Sequence, residues 1–363
     1  MATKNKLDTA INKVILIIFS VFILFLVIFF VTSLIYLAPV DSSSNKKVSF
    51  TVQNGWGKNI IADKLEDAGL IKSALYFKFY IKLNQNKELY AGTYTLSKNM
   101  SVDEIINTLN SNKSLENEEV SVTFIEGKRL TDYAKTISKT FGYKEEDVLA
   151  KMQDKTFIQK EIDNYDFITD DILNSDIYYP LEGYLFPDTY VMKKNATIEE
   201  IIDTMINQMG KKLDNYQSEI SASSYSVHKL LTLASIVELE GVNSADRAGV
   251  AGVLYNRLNA NMNLGSDVTT YYAVKKTFSD DLTNSDLNSC NGYNTRGTCV
   301  TGLPVGPIDS PSLSSITAVI EPEKNDYYYF VADKNKKTYF SKTYEEHAAI
   351  VTKLKSEGLW YQY

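Results

Sequence analysis

The pattern of apolar and polar positions divides this 363-residue chain into one unbroken apolar run and a long patterned remainder. Residues 14–38 read VILIIFSVFILFLVIFFVTSLIYLA, 25 positions without a charge. About 20 apolar residues cross a bilayer core as a helix, so the run is long enough to span with some tilt. It is too long for the apolar stretch of a cleaved signal peptide, and no Cys lies near it to carry a lipid. Lys4, Lys6 and Lys13 precede it, offset by Asp8, while Asp41, Lys46 and Lys47 follow. This modest bias favours a cytoplasmic N-terminus, with everything after the span outside. The expected order is a cytoplasmic tail (1–13), a transmembrane helix (14–38) and a polar linker (39–46).

Beyond the linker, residues 47–52 alternate like a strand, and helical periods follow at 58–68 and 73–83. Residues 89–96 read as a second strand with Gly92 inside it, and Ser101 with Glu104 three residues on is a capping-box start. This strand–helix–helix–strand order predicts a small α+β module over 47–117, closed by a polar, acidic stretch at 110–118. A larger α+β domain is expected over 118–363. It opens with a strand at 120–125 and helices at 130–140 and 145–152. Residues 154–176 show no clear period and stay unassigned. An irregular aromatic, Pro/Gly-rich loop covers 179–190, followed by helices at 198–213, 226–239 and 245–259. Strands at 327–332 and 338–340 and a helix from Tyr344 to about Ser356 complete the chain.

Composition narrows the function classes. A formal net charge of −7 argues against a nucleic-acid binder, which needs clustered Lys and Arg. Twenty-five Tyr residues suit carbohydrate faces, although Tyr also fills strands and cores. The only histidines, His228 and His347, have no Cys or His partner at ligand spacing, so neither a metal nor another cofactor is expected. Cys290 and Cys299 are either two free thiols or, in an oxidising compartment, a disulfide closing a short loop.

Polar residues in apolar context are densest between Leu230 and Ile308. LLTLASIVELEG, residues 230–241, is an apolar helix ending in two carboxylates, Glu238 and Glu240. Glycan cleavage needs an acid held protonated near neutral pH, and a carboxyl at the end of a buried helix is a candidate. Leu230, Leu233, Ala234 and Val237 share one face, and the two acids fall about 80° to either side of it. Periodicity leaves them tied, and the plainer alternative is that both are solvated helix-end carboxylates. Asn256 and Arg257 sit among apolar positions of the next helix. Gly265 to Tyr272 begins a turn into another segment, and YNTR (293–296) and GLPVGPI (302–308) are constrained loops of the kind that carry binding residues.

The segments LASIVELEG, VAGVLYNRLNANMNLGSDVTTYY, YNTR, TGLPVGPIDSP and YYYFVAD, with LEGYLFPDTY upstream, resemble the endolytic murein transglycosylases of the YceG-like (MltG) family. They occur in the family's order over most of 120–350. The module at 47–117 resembles the LysM-like module of such proteins. In the family pattern the second acid of the IVExE stretch is catalytic, which implies Glu240. The same matching implies substrate-binding or orienting roles for Glu238, Asn256, Arg257, Ser266, Asp267, Thr269, Tyr293, Asn294, Thr295, Gly302, Leu303 and Pro304. The chain departs from the family where Gly265 and Val268 replace Gln and Pro, where Leu239 stands between the acids in place of a charged residue, and where YNTR replaces YNTY.

The resemblance implies cleavage of the MurNAc-β-1,4-GlcNAc bond within nascent peptidoglycan strands, leaving 1,6-anhydro-MurNAc ends and ending strand elongation. One Glu serves there first as acid and then as base, unlike the paired carboxylates of most glycosidases. The implied partners are glycan strands and membrane-bound penicillin-binding proteins. The rival class is a non-catalytic, membrane-anchored peptidoglycan-binding scaffold; a hydrolase that adds water is a third reading.

Overall fold

The computed structural model describes residues 2–84, 87–111, 118–241 and 243–360, with side chains from residue 16 onward. It is a mixed helix and sheet (α+β) fold that separates into two compact units, Met1–Glu119 with 193–195, and Val120–Met192 with Ala196–Tyr363. The described strands form three two-stranded sheets.

The first unit begins with α1 (Ala2–Tyr36), whose stretch Leu16–Tyr36 is long and apolar enough to cross a membrane. Then come β1 (Lys47–Val52), α2 (Lys58–Asp67), α3 (Ala74–Leu83), β2 (Gly92–Ser97) and α4 (Val102–Asn110). β1 and β2 are antiparallel, in register from Lys47 opposite Ser97 to Val52 opposite Gly92. Alternation points Phe50, Val52, Tyr94 and Leu96 inward, onto Ile61 and Leu65 of α2, Phe77 and Ile81 of α3, and Ile105 and Leu109 of α4. β2 starts at Gly92 rather than Leu89. The Tyr90 N–H is taken by the Leu109 carbonyl at the end of α4, so this part of the chain follows α4 instead of β1. The expected capping box opens α4, with Ser101 Oγ accepting from Glu104 N and the Glu104 carboxylate accepting from Ser101 N. The expected linker (39–46) and the end of the apolar run before it are stitched to the unit: Val102 N donates to Leu37 O, Asp41 N to Lys98 O, and Asn99 Nδ2 to Asn45 Oδ1.

The second unit comprises β3 (Glu119–Thr123), α5 (Leu130–Phe141), α6 (Glu145–Lys151), α7 (Lys155–Asn164), β4 (Thr189–Lys193), α8 (Ile198–Leu213), α9 (Gln217–Ala222), α10 (Val227–Glu240), α11 (Arg247–Asn259), α12 (Asp267–Ala273), α13 (Asn284–Leu287), α14 (Leu313–Ile320), β5 (Tyr329–Ala332), β6 (Thr338–Ser341) and α15 (Tyr344–Ser356). Five helices, α7, α9, α12, α13 and α14, lie where the pattern gave no helix, and two of them show why. α7 is capped by Asp154, which accepts from Phe157 N, but it buries so short a face (Phe157, Ile158 and a polar Glu161) that no period shows. α14 follows a Pro-rich loop and is only eight residues long; Ser312 caps it, and Ile316 and Val319 are buried.

α10 is the axis of this unit. Nearly every residue from His228 to Glu238 is buried, so the helix is apolar all round rather than amphipathic. The LEGYLFP and GLPVGPIDSP loops pack directly on each other. Gly183, at φ +82°, would bring a Cβ to 2.5 Å from Pro307 Cβ. Both the backbone sign and the space demand glycine. Gly183→Ala is therefore expected to cost about 2–4 kcal/mol, as left-handed strain plus overpacking, read as a lowered urea midpoint with an unchanged slope.

Candidate active site

The two carboxylates that periodicity left tied are separated by what surrounds them, and neither is the solvated helix-end group of the plainer alternative. Glu238 is buried, with both carboxylate oxygens engaged. Arg247 Nη2 donates to its Oε1 at 2.7 Å, while Oε2 accepts from Ser312 N at 2.9 Å, Ser312 Oγ at 2.6 Å and Ser315 Oγ at 2.8 Å. It therefore ties the end of α10 to the starts of α11 and α14. It does not line the cavity that its neighbour faces.

Glu240, two residues on, opens into that cavity, which has two overlapping lobes of about 570 and 540 Å³. Leu239, Glu240, Asp267, Arg296 and Phe330 belong to both lobes. One continues to Arg257, Tyr271, Phe278, Tyr329 and His347; the other continues to Asp333, Lys334, Lys336, Thr338 and Trp360. Burial pushes the Glu240 carboxyl above the usual carboxylate range. A hydrogen bond from Ser266 Oγ to Oε1, at 2.6 Å, works against that rise; the charge of Asp267 adds to it, and Arg257 and Arg296 oppose it.

The 265–297 segment brings Ser266 to Glu240. Gly265 takes a left-handed φ of +60°. Beneath it, Thr269 Oγ1 donates to Ser266 O at 2.7 Å and pairs with Thr295 Oγ1 at 2.8 Å, while Ser266 N donates to Thr295 Oγ1 at 3.1 Å. Thr269 and Thr295 are fully buried, so they hold Ser266 in place from behind. Asp267 lines the cavity in an ion pair with Arg296. Arg257 bridges Leu264 O and Tyr328 O with its guanidinium over the Tyr329 ring, joining this segment to the approach to β5.

The other sequence-predicted residues stand back from the cavity. Asn256 Nδ2 donates to Asn325 O and Tyr327 O, fixing the chain that leads into β5. Tyr293 is buried between Tyr178 and Tyr272, with ring centroids 5.0 and 4.7 Å away. Asn294 Nδ2 donates to Leu287 O and Ser289 O, and its Oδ1 accepts from Thr270 Oγ1. Gly302, Leu303 and Pro304 line a separate hollow of about 420 Å³ with Tyr225 and His228. Sequence reasoning assigned no role to Tyr271, Phe278, Arg296, Tyr329, Phe330, His347, Lys334, Lys336 or Trp360. The signal for several was at hand: YYYFVAD presents aromatic residues at a strand of half-buried positions. The disulfide alternative holds for Cys290 and Cys299, whose Cα atoms are 5.4 Å apart, and it closes the loop that carries Tyr293 to Arg296.

Behind the site lies a second pair of buried acids. Glu182 accepts from Leu130 N and from Tyr272 Oη, both at 2.9 Å, and burial raises it to about 7. Asp309 is fully buried and is pushed well above the carboxylate range by burial, then by Glu238 and Glu182.

Fold and cleft together define an α+β protein with an N-terminal apolar helix and a cavity centred on one desolvated carboxyl among aromatic and cationic side chains. The sequence model of the YceG-like family matches residues 50–353, and the chain belongs to that family. It is 39% identical over 313 residues to the endolytic murein transglycosylase of Bacillus subtilis (strain 168), covering 86% of each chain. It is 38% identical over 327 residues to the protein of that name from Streptococcus pneumoniae (strain D39), covering 86% of this chain and 59% of that one. The crystal structure of a yceG-like protein from Listeria monocytogenes superposes with a TM-score of 0.60 at 37% identity, over 84% of this chain and 99% of that one.

Two stability outcomes are expected. Glu182 has a folded pKa of about 7 against an ordinary 4.5, so the folded state keeps a proton that the unfolded state loses between those values. Its contribution to the unfolding free energy therefore falls as pH rises through that window, by on the order of 3 kcal/mol in all. Glu182→Gln should flatten this dependence in urea melts at about pH 4 and about pH 8. Reducing the Cys290–Cys299 bridge should lower stability by about 2–3 kcal/mol, the loop-closure value for so short a loop, read in melts with and without reductant.

Proposed function

We propose that this chain is a membrane-anchored enzyme that cleaves the MurNAc-β-1,4-GlcNAc bond within peptidoglycan strands, with Glu240 as its acid. The observation that carries the reading is the contrast at the end of α10. Both carboxylate oxygens of Glu238 are engaged by neighbouring side chains, whereas Glu240 is raised by burial and faces a cavity large enough for sugar rings. The names of the relatives from Bacillus subtilis and Streptococcus pneumoniae support the same substrate.

In the mechanism, protonated Glu240 donates its proton to the glycosidic oxygen as the C1–O bond breaks. The muramic acid C6 hydroxyl then bonds to the anomeric carbon and gives its proton to the Glu240 carboxylate, which leaves a 1,6-anhydro end and restores the acid. Ser266 orients the carboxyl through its hydrogen bond, and the aromatic rings at 271, 278, 329 and 330 offer faces for sugars. Asp267 favours a second reading. It is another carboxylate in the same cavity, the arrangement a water-using glycosidase needs, although Arg296 engages it.

Around this core, the reading places α1 across the cell membrane with its N-terminus cytoplasmic and the rest outside, where cutting nascent strands would end their elongation. The small unit would serve as a LysM-like glycan-binding module, and penicillin-binding proteins would be neighbours. Glu240→Gln should lower strand cleavage by at least about 10²–10⁴-fold, the usual worth of a general acid, without altering the thermal melt. Mass spectrometry of digested sacculi reads the product ends. Anhydro ends support the transglycosylase, ends labelled by heavy-oxygen water support the hydrolase, and no new ends from the parent protein would leave only the scaffold.

A further inference from the structure

The first unit carries an apolar helix face that the described residues leave largely uncovered. On α3, Leu75, Phe79 and Leu83 follow one another at i, i+4 and i+8, and therefore share a face. They are 69%, 44% and 69% exposed, while Ala74, Phe77 and Ile81 fill the core. Such a stripe on a helix next to water costs free energy unless something covers it.

The contacts of α3 say what does. Its outer side lies against the C-terminal end of α1. The Tyr76 ring stacks on Phe29 and Tyr36, with centroids 5.5 and 4.6 Å away, and the Phe79 ring meets Phe29 edge-on at 4.7 Å. Tyr76 Oη donates to Thr32 Oγ1 at 2.7 Å, and Lys72 Nζ reaches Ile35 O at 3.1 Å. All four α1 residues belong to the apolar run. At 1.5 Å per residue that run is about 37 Å long, against a hydrocarbon core of about 30 Å. About five residues are therefore surplus to a perpendicular span. Even if all five lie outside, the boundary falls near residue 33, and Phe29 is still about 6 Å inside it. A helix whose side chain touches Phe29 then sits at the membrane boundary, with its tyrosines at the level where aromatic belts form.

We propose that α3 is an interfacial membrane helix, with Leu75, Phe79 and Leu83 immersed in the extracytoplasmic leaflet beside α1. The inference rests on the reading of α1 as a membrane span. It makes the first unit a body lying on the bilayer, held by α1, by α3 and by the stitched 37–45 segment, rather than one swinging on a tether. Lys82, on the same helix, has a stem long enough to carry its charge to the headgroups.

The test uses the full chain reconstituted in vesicles of equal parts phosphatidylcholine and phosphatidylglycerol. Leu75→Trp and Leu83→Trp each add a fluorophore at an exposed position that tolerates its size. The emission each adds over the parent protein, which has its own Trp56 and Trp360, is read with acyl-chain-brominated phosphatidylcholine. Immersion predicts that most of the added emission is quenched and that its maximum lies at shorter wavelength than in water. Unquenched emission from both variants, while the chain resists alkaline extraction from the vesicles, would overturn the α3 proposal and leave the anchor intact. A chain released by alkaline extraction would overturn the anchor reading and this inference together.

Discussion

The Glu238–Arg247 ion pair is the interaction on which the site depends. It joins α10, α11 and α14 at one point, with Ser312 and Ser315 completing the acceptor set of Glu238. A buried pair of this kind contributes little net stability relative to apolar packing, but loss of one partner strands a charge and typically costs 3–5 kcal/mol. Its value here is geometric. By consuming the first acid of the pair it fixes the rotation of the last turn of α10, and that rotation delivers the second acid to the cavity.

Desolvation does the rest. α10 has no polar face, so its last residues leave the core only half-exposed, and burial is the largest influence on Glu240. The opposing hydrogen bond from Ser266 keeps the rise in check. Ser266 in turn depends on two buried threonines, Thr269 and Thr295, that never touch the cavity. The site is thus a raised carboxyl on a rigid helix, trimmed by a loop pinned from behind. The acids Glu182 and Asp309 extend the low-dielectric region behind it, an environment that holds several carboxyls above their ordinary range.

Much of the fold was legible along the chain because local rules govern it. The capping box at Ser101, the alternation of β1 and the periods of α5, α8 and α15 depend on neighbours within a few residues. Where a partner far along the chain takes a backbone group, as Leu109 takes that of Tyr90, the local reading misplaced a boundary. Where the buried face was only three or four residues long and partly polar, as in α7 and α14, it saw no element at all.

The same division runs through the site. The apolar run of α1, the acid-ended helix and the order of the motifs are properties of the primary structure, since hydropathy and periodicity act over short spans. The contrast in surroundings between Glu238 and Glu240 is not, because Arg247, Ser312 and Ser315 that claim one acid, and Ser266 that orients the other, come from separate segments. Neither is the character of the cleft, where Tyr329, Phe330 and Lys336 meet Asp267 and Arg296 only after β5 and β6 fold back. A carboxyl's pKa depends on what excludes water and which charges lie nearby, and those neighbours are assembled by packing rather than by order along the chain.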